Sequence, residues 1–138
     1  MRTIKFRGKR IDNGKWVYGG LTSHLHSPVE KQQIVSCQHF DGDEENEHYI
    51  FIDVEPETVG QFTGLTDKNG TDIYEGDLVR LIEGSQIITE VKWNEHTVSF
   101  LFVDTKAKHR SWTAMDFGMT KIGGCEEISI SCEVIGNL

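Results

Sequence analysis

Gly60-Gln61-Phe62-Thr63-Gly64-Leu65-Thr66-Asp67-Lys68-Asn69-Gly70-Thr71-Asp72-Ile73-Tyr74-Glu75-Gly76-Asp77-Leu78-Val79 reads as short extended segments broken by polar bends. Asp67-Lys68-Asn69-Gly70 supplies a turn in which the glycine takes positive φ at little steric cost. Glu75-Gly76-Asp77 is a second bend, leading into Leu78-Val79-Arg80-Leu81-Ile82. No window offers a helical stripe with a cap at its start, and period-two alternation dominates on either side of the stretch.

Downstream, strands are predicted over 87–93 with Ile87, Val91 and Trp93 inward, and over 98–103 with Val98, Phe100 and Phe102 together. A further strand is predicted over 128–135, with Ile128, Ile130, Cys132 and Val134 on one side. Upstream, Ile4 and Phe6 share one face while Lys5, Arg7 and Lys9 share the other. Asp12-Asn13-Gly14-Lys15 then signals a tight turn before Trp16-Val17-Tyr18, which makes an N-terminal hairpin. Residues 22–30 read as a loop, 33–37 as a short strand and 41–47 as an acidic loop. Residues 48–54 read as a strand covered on both faces, because Ile50, Ile52 and Val54 lie on one side and Tyr49 and Phe51 on the other. Pro56 suits the start of a single helical turn.

The expected fold is mainly β with little helix: one compact unit of two interleaved β lobes. The C-terminal lobe is expected to be a small SH3-like barrel or curled antiparallel sheet. A single domain over 1–138 is expected, with subdomains 1–60 and 61–138 divided at Gly60 to Thr63. At 138 residues the chain is large enough to bury a core without staples. The first residues alternate charged and apolar side chains, unlike a secretory signal, and no apolar run approaches a bilayer span. A cytoplasmic protein with reduced Cys37, Cys125 and Cys132 is therefore expected. Net charge is -8, yet residues 1–15 hold six Lys/Arg against Asp12, leaving eight basic and twenty-one acidic residues elsewhere. The body of the chain should repel nucleic acid, whereas the N-terminus need not.

Three ordered motifs resemble landmarks of the YopX family of small phage and prophage proteins. They are Lys5-Phe6-Arg7-Gly8-Lys9-Arg10 with Trp16-Val17-Tyr18-Gly19, Phe62 to Gly70 with Ile73-Tyr74-Glu75-Gly76-Asp77, and Val134-Ile135-Gly136-Asn137. The resemblance implies a phage or prophage origin and a bacterial host cytoplasm. It implies no activity, cofactor or catalytic residue, because the family defines none.

Candidate chemistry is sparse. His24, His26, Cys37 and His39 bring soft ligands within sixteen residues, but their spacing matches no zinc pattern. Asp41, Asp43, Glu44, Glu45 and Glu47 lack the glycine and terminal glutamate of a calcium loop, and the Asp67–Asp72 turn fails likewise. No metal or cofactor is assigned. Asp72, Glu75 and Asp77 with Tyr74 form the one compact polar set suited to acid/base work, although Asp77 equally suits a turn carboxylate accepting backbone N–H groups.

The leading expectation is a non-catalytic binding module presenting Tyr74, Glu75 and Asp77 to a host or phage protein or to a second copy of the chain. The first alternative is a nucleic-acid accessory protein using Lys5, Arg7, Lys9 and Arg10 beside Trp16 and Tyr18, since phosphate contacts and aromatic stacking hold single strands. The other is an enzyme built on Asp72, Glu75 and Asp77. No membrane partner is expected.

Overall fold

The computed structural model describes residues 3–23, 31–38, 48–81, 86–113, 116, 120–121, 128–129 and 132–137. The chain is mainly β, with a short 3-10 turn at Pro56–Thr58. It divides into two units, Ile4–Gln61 and Phe62–Leu138 with Met1–Thr3.

In the first unit β1 (Phe6–Lys9), β2 (Trp16–Ser23), β3 (Gln32–Gln38) and β4 (His48–Val54) follow one another as antiparallel neighbours. The start of β5 (Gly60–Thr66) flanks β1, with Gln61 opposite Phe6 and Gly60 opposite Arg7. The first half of β2 pairs with β1, and its second half, from Gly20, pairs with β3. At that changeover the chain needs Gly19, because a Cβ there would lie 2.0 Å from the carbonyl oxygen of Val35. Arg10 bridges Val54, and the Glu55 N–H donates to the Lys9 carbonyl at 2.9 Å, so the end of β4 returns beside the end of β1. Ile34 and Val54 are fully buried inside this wrap.

The second unit holds the end of β5, β6 (Asp72–Tyr74), β7 (Asp77–Arg80), β8 (Ile88–Asn94), β9 (Ser99–Asp104), β10 (Ser111–Trp112), β11 (Thr120–Lys121), β12 (Ile128–Ser129) and β13 (Glu133–Asn137). Five of these form an antiparallel sheet in the order β10-β9-β8-β7-β13. Its inward side chains, Val79, Val91 and Phe102, pack with Leu65, Ile73, Leu81 and Cys132 into the core, against which Ile87, Phe100, Trp112 and Val134 rest. β6 pairs antiparallel with β5, and β12 runs parallel to β5.

Several expectations change. The five-stranded sheet is open, with β10 and β13 as its edges, so the curled sheet stands and the closed barrel does not. The strand expected over 128–135 is two strands, β12 and β13, with the buried Cys132 between them; its carbonyl accepts the Lys68 N–H at 3.1 Å. Val98 does not face inward with Phe100 and Phe102. It sits in the β8–β9 turn at φ 51° and is 71% exposed, because the Asn94 side chain accepts the N–H groups of His96 and Thr97 and winds the connection back. Thr22 and Ser23 belong to β2 and not to a loop. β4 is not covered on both faces: Tyr49 and Phe51 are exposed.

Candidate binding surface

The central motif folds as architecture. Asp77 is buried, and its Oδ2 accepts the Tyr74 N–H at 2.8 Å across the bend at Glu75-Gly76. Gly76 takes φ 83° there and donates to the Val91 carbonyl at 2.9 Å, fastening the bend to β8. A side chain with a Cβ would be strained at that φ. The Tyr74 ring is buried against Phe62, with centroids 5.5 Å apart. Thr63 Oγ1 donates to the Ile73 carbonyl at 2.8 Å and accepts the Leu65 N–H at 3.2 Å, joining β5 to β6 from the side-chain level.

The preceding turn is organised by a second buried aspartate. Asp67 Oδ1 accepts the N–H groups of Asn69 at 2.8 Å and Thr71 at 2.9 Å, while Oδ2 accepts the Val134 N–H at 3.0 Å. Burial pushes the Cys132 thiol up to about 12, and the nearby Asp67 carboxylate adds to the shift. A thiol held protonated in this way is a poor nucleophile. Of the residues expected to present contacts, Tyr74 and Asp77 thus lie in the interior, and Glu75 is half-buried. Asp72 is also half-buried, on β6.

The basic set separates in a different way. Arg7 is only 6% exposed and lies over the Trp16 ring at 4.5 Å; Lys9 reaches the same ring at 5.2 Å. These cation–π contacts fix the indole between β1 and β2. Arg10 makes a two-point ion pair with Asp12 at 2.8 and 2.5 Å, and the hydrogen bond from Arg10 holds the Asp12 carboxyl below its ordinary range. Lys5 is half-buried beside β1. Arg7 and Lys9 are therefore both engaged by the Trp16 ring, and Arg10 is paired with Asp12 at the surface.

What the sequence reading missed is the rest of this face. Arg7 lies opposite Tyr18 and Lys9 opposite Trp16. Two residues beyond Tyr18, Gly20 lies opposite Val35, and Val35 lies opposite Phe51; Tyr49 is two residues from Phe51 on the same strand. Alternation places these residues on the face turned away from Ile34 and Val54. Tyr18, Tyr49 and Phe51 are 51%, 59% and 58% exposed. Asp53, also on this face, receives Gln33 Nε2 at 2.7 Å and has Lys31 Nζ at 3.9 Å. The clue in the sequence is the aromatic pair on an alternating run, whose expected burial on both faces gives way to exposure of Tyr49 and Phe51.

No group of three or more His, Cys, Asp or Glu able to hold a metal occurs among the described residues. His24, His26, His39 and the acidic stretch 41–47 lie outside the described residues, as does the side chain of Cys37. No described helix is long and apolar enough to cross a membrane.

The chain is mainly β with a turn-locked central motif, and a family model covers nearly all of it. The chain belongs to the YopX family, whose model, described as YopX protein, matches residues 5–138. No curated protein matches it.

Proposed function

We propose that this YopX-family chain is a non-catalytic binding protein of phage or prophage origin, acting in the bacterial cytoplasm, and that its contact surface is the outward face of β1–β4. The observation that carries the reading is the exposure of Tyr18, Tyr49 and Phe51 on one small sheet. Large aromatic side chains contribute much of the binding free energy at interfaces, and a cluster of them left in water is costly unless it is used. Tyr74, Glu75 and Asp77 act in this account through the shape of the second unit, with Glu75 alone retaining exposure enough to touch a partner. Catalysis by Asp72, Glu75 and Asp77 draws less support, since Asp77 is buried and its Oδ2 accepts the Tyr74 N–H.

The test is affinity capture from bacterial lysate with tagged wild-type chain and with Tyr18→Ala/Tyr49→Ala/Phe51→Ala, reading both protein and nucleic acid in the eluate. The reading predicts material retained by the wild type and lost from the triple variant. Retention unchanged in a folded triple variant would contradict it.

A further inference from the structure

We propose that the loop between β9 and β10 binds the phosphate backbone of a double-stranded nucleic acid through Lys106 and Lys108. The site lies in the second unit and uses none of the residues of the β1–β4 face. The first support is charge. Beyond residue 15 the chain has eight basic and twenty-one acidic residues, yet Lys106, Lys108 and Arg110 fall within five positions together with His109, and no Asp or Glu occurs from 105 to 115. Lys31, Arg80 and Lys92 are ion-paired with Asp53, Glu133 and Glu90. Lys106 and Lys108 are exposed and have no acidic partner among the described residues. A local excess of cations on an anionic chain attracts a polyanion and gains little from a neutral partner. Lysines on an edge strand can serve to block edge pairing, but these two stand in the loop and on neither strand.

The second support is a fixed backbone. Asp104, buried at the end of β9, accepts the N–H groups of Lys106 at 2.8 Å and Ala107 at 3.0 Å on Oδ1, and the Arg110 guanidinium on Oδ2. The Asp104 N–H donates to the Arg110 carbonyl at 3.0 Å, and the Arg110 N–H donates to the Ala107 carbonyl at 2.8 Å, closing a turn with Lys108 and His109 at its centre. Thr105 fastens the loop to β8, its N–H and its Oγ1 each donating to the Ile88 carbonyl at 3.0 Å. Both lysine stems therefore start from an ordered loop, and little backbone ordering opposes binding. The same geometry selects a duplex. Trp112 rests against the core and has Arg110 over its ring at 5.8 Å, so it is not placed to stack on an unpaired base. An ammonium group meets phosphate as a point charge without reading bases, and a duplex presents phosphates more densely than a single strand. Arg110 takes no part, being held by Asp104.

Fluorescence anisotropy of labelled DNA and RNA duplexes of mixed sequence, titrated with the full chain at low and physiological salt, tests this. The wild type is expected to bind at low salt without sequence preference, to weaken as salt rises, and to bind a single strand less well. Lys106→Gln/Lys108→Gln is expected to weaken binding and to flatten the logarithmic salt dependence by about 1.8, at about 0.9 per phosphate contact. Lys106→Arg/Lys108→Arg keeps both charges and is expected to retain binding. Both lysine pairs are exposed, so their melting curves should match the wild type. The proposal is overturned if the wild type binds neither duplex at low salt, or if the glutamine pair binds with the affinity and salt dependence of the wild type. Capture of an acidic protein from lysate that depends on Lys106 and Lys108, without duplex binding, would also overturn it and assign the loop to that partner. Tyr18→Ala/Tyr49→Ala/Phe51→Ala is expected to bind duplex as the wild type does, so failure here leaves the reading of the β1–β4 face untouched, and failure there leaves this one.

Discussion

Asp67 Oδ2 accepts the backbone N–H of Val134 at 3.0 Å, a bond that spans 67 positions of the chain and ties the central turn to the last strand. The same carboxylate closes its own turn through Asn69 and Thr71. Asp67→Ala would leave three N–H groups in and around a buried site without this acceptor. The expected loss is on the order of 3 kcal/mol, since hydrogen bonds to charged groups are the strong ones and orphaned buried donors are costly. Equilibrium denaturant unfolding measures it; a midpoint within error of wild type would remove the claim that Asp67 anchors the unit.

Asp104 gives a pH dependence with a defined sign. The N–H groups of Ala107 and Lys106 and the guanidinium of Arg110 lower its carboxyl from 3.8 to about 2. A folded-state value below the unfolded one stabilises the native state while the group is ionised in both, and that contribution disappears as pH falls through the window from 3.8 to about 2. Thermal melting between pH 5 and pH 2, values bracketing the two constants, should show a steeper loss in wild type than in Asp104→Asn. Parallel curves would argue against the network.

Val98 is a β-branched residue at φ 51°, with most of its side chain in water. Such a residue is strained in the left-handed region, and little packing is lost by removing it. Val98→Gly is expected to raise stability by about 1 kcal/mol, read as a higher melting temperature. A lower melting temperature would show that the exposed isopropyl group contributes a contact that outweighs the strain.

Cys132 should be inert in the folded chain. With Cys37 and Cys125 changed to serine, an aromatic disulfide reagent at mildly alkaline pH is expected to label Cys132 only after denaturant is added, because burial raises its thiol to about 12. Rapid labelling of the native protein would contradict the burial of that segment of the core.

Much of the fold was legible because alternation and turn chemistry act locally. The hairpin around Asn13-Gly14, the strand at 33–37, the helical turn at Pro56 and the bend at Gly76 each follow from a few adjacent residues. The inward direction of Val91, Phe100 and Phe102 follows from the same period. What local pattern could not carry was the tertiary context. Val98 fits the strand alternation, but the Asn94 side chain draws it into the turn. Ile128 to Ile135 alternates as one strand, yet the Lys68 and Asp67 contacts from a distant turn meet the chain at Cys132 and Val134. The same gap separates the two halves of the site. Asp77 as a turn acceptor was readable from its place beside Gly76, whereas burial of Tyr74 against Phe62 depends on the pairing of β5 with β6. Tyr49 and Phe51 look in sequence like a strand buried on both faces. Their exposure in the folded first unit, which alternation alone does not determine, makes them a surface.

The most direct test of that surface is hydroxyl-radical side-chain labelling of the full chain, pure and again in bacterial lysate. The account predicts that Tyr18, Tyr49 and Phe51 are oxidised readily in the pure protein and are protected together in the lysate, while Val98 stays equally reactive in both. Equal oxidation of the three aromatics under both conditions would contradict the claim that the outward face of β1–β4 is where this protein binds.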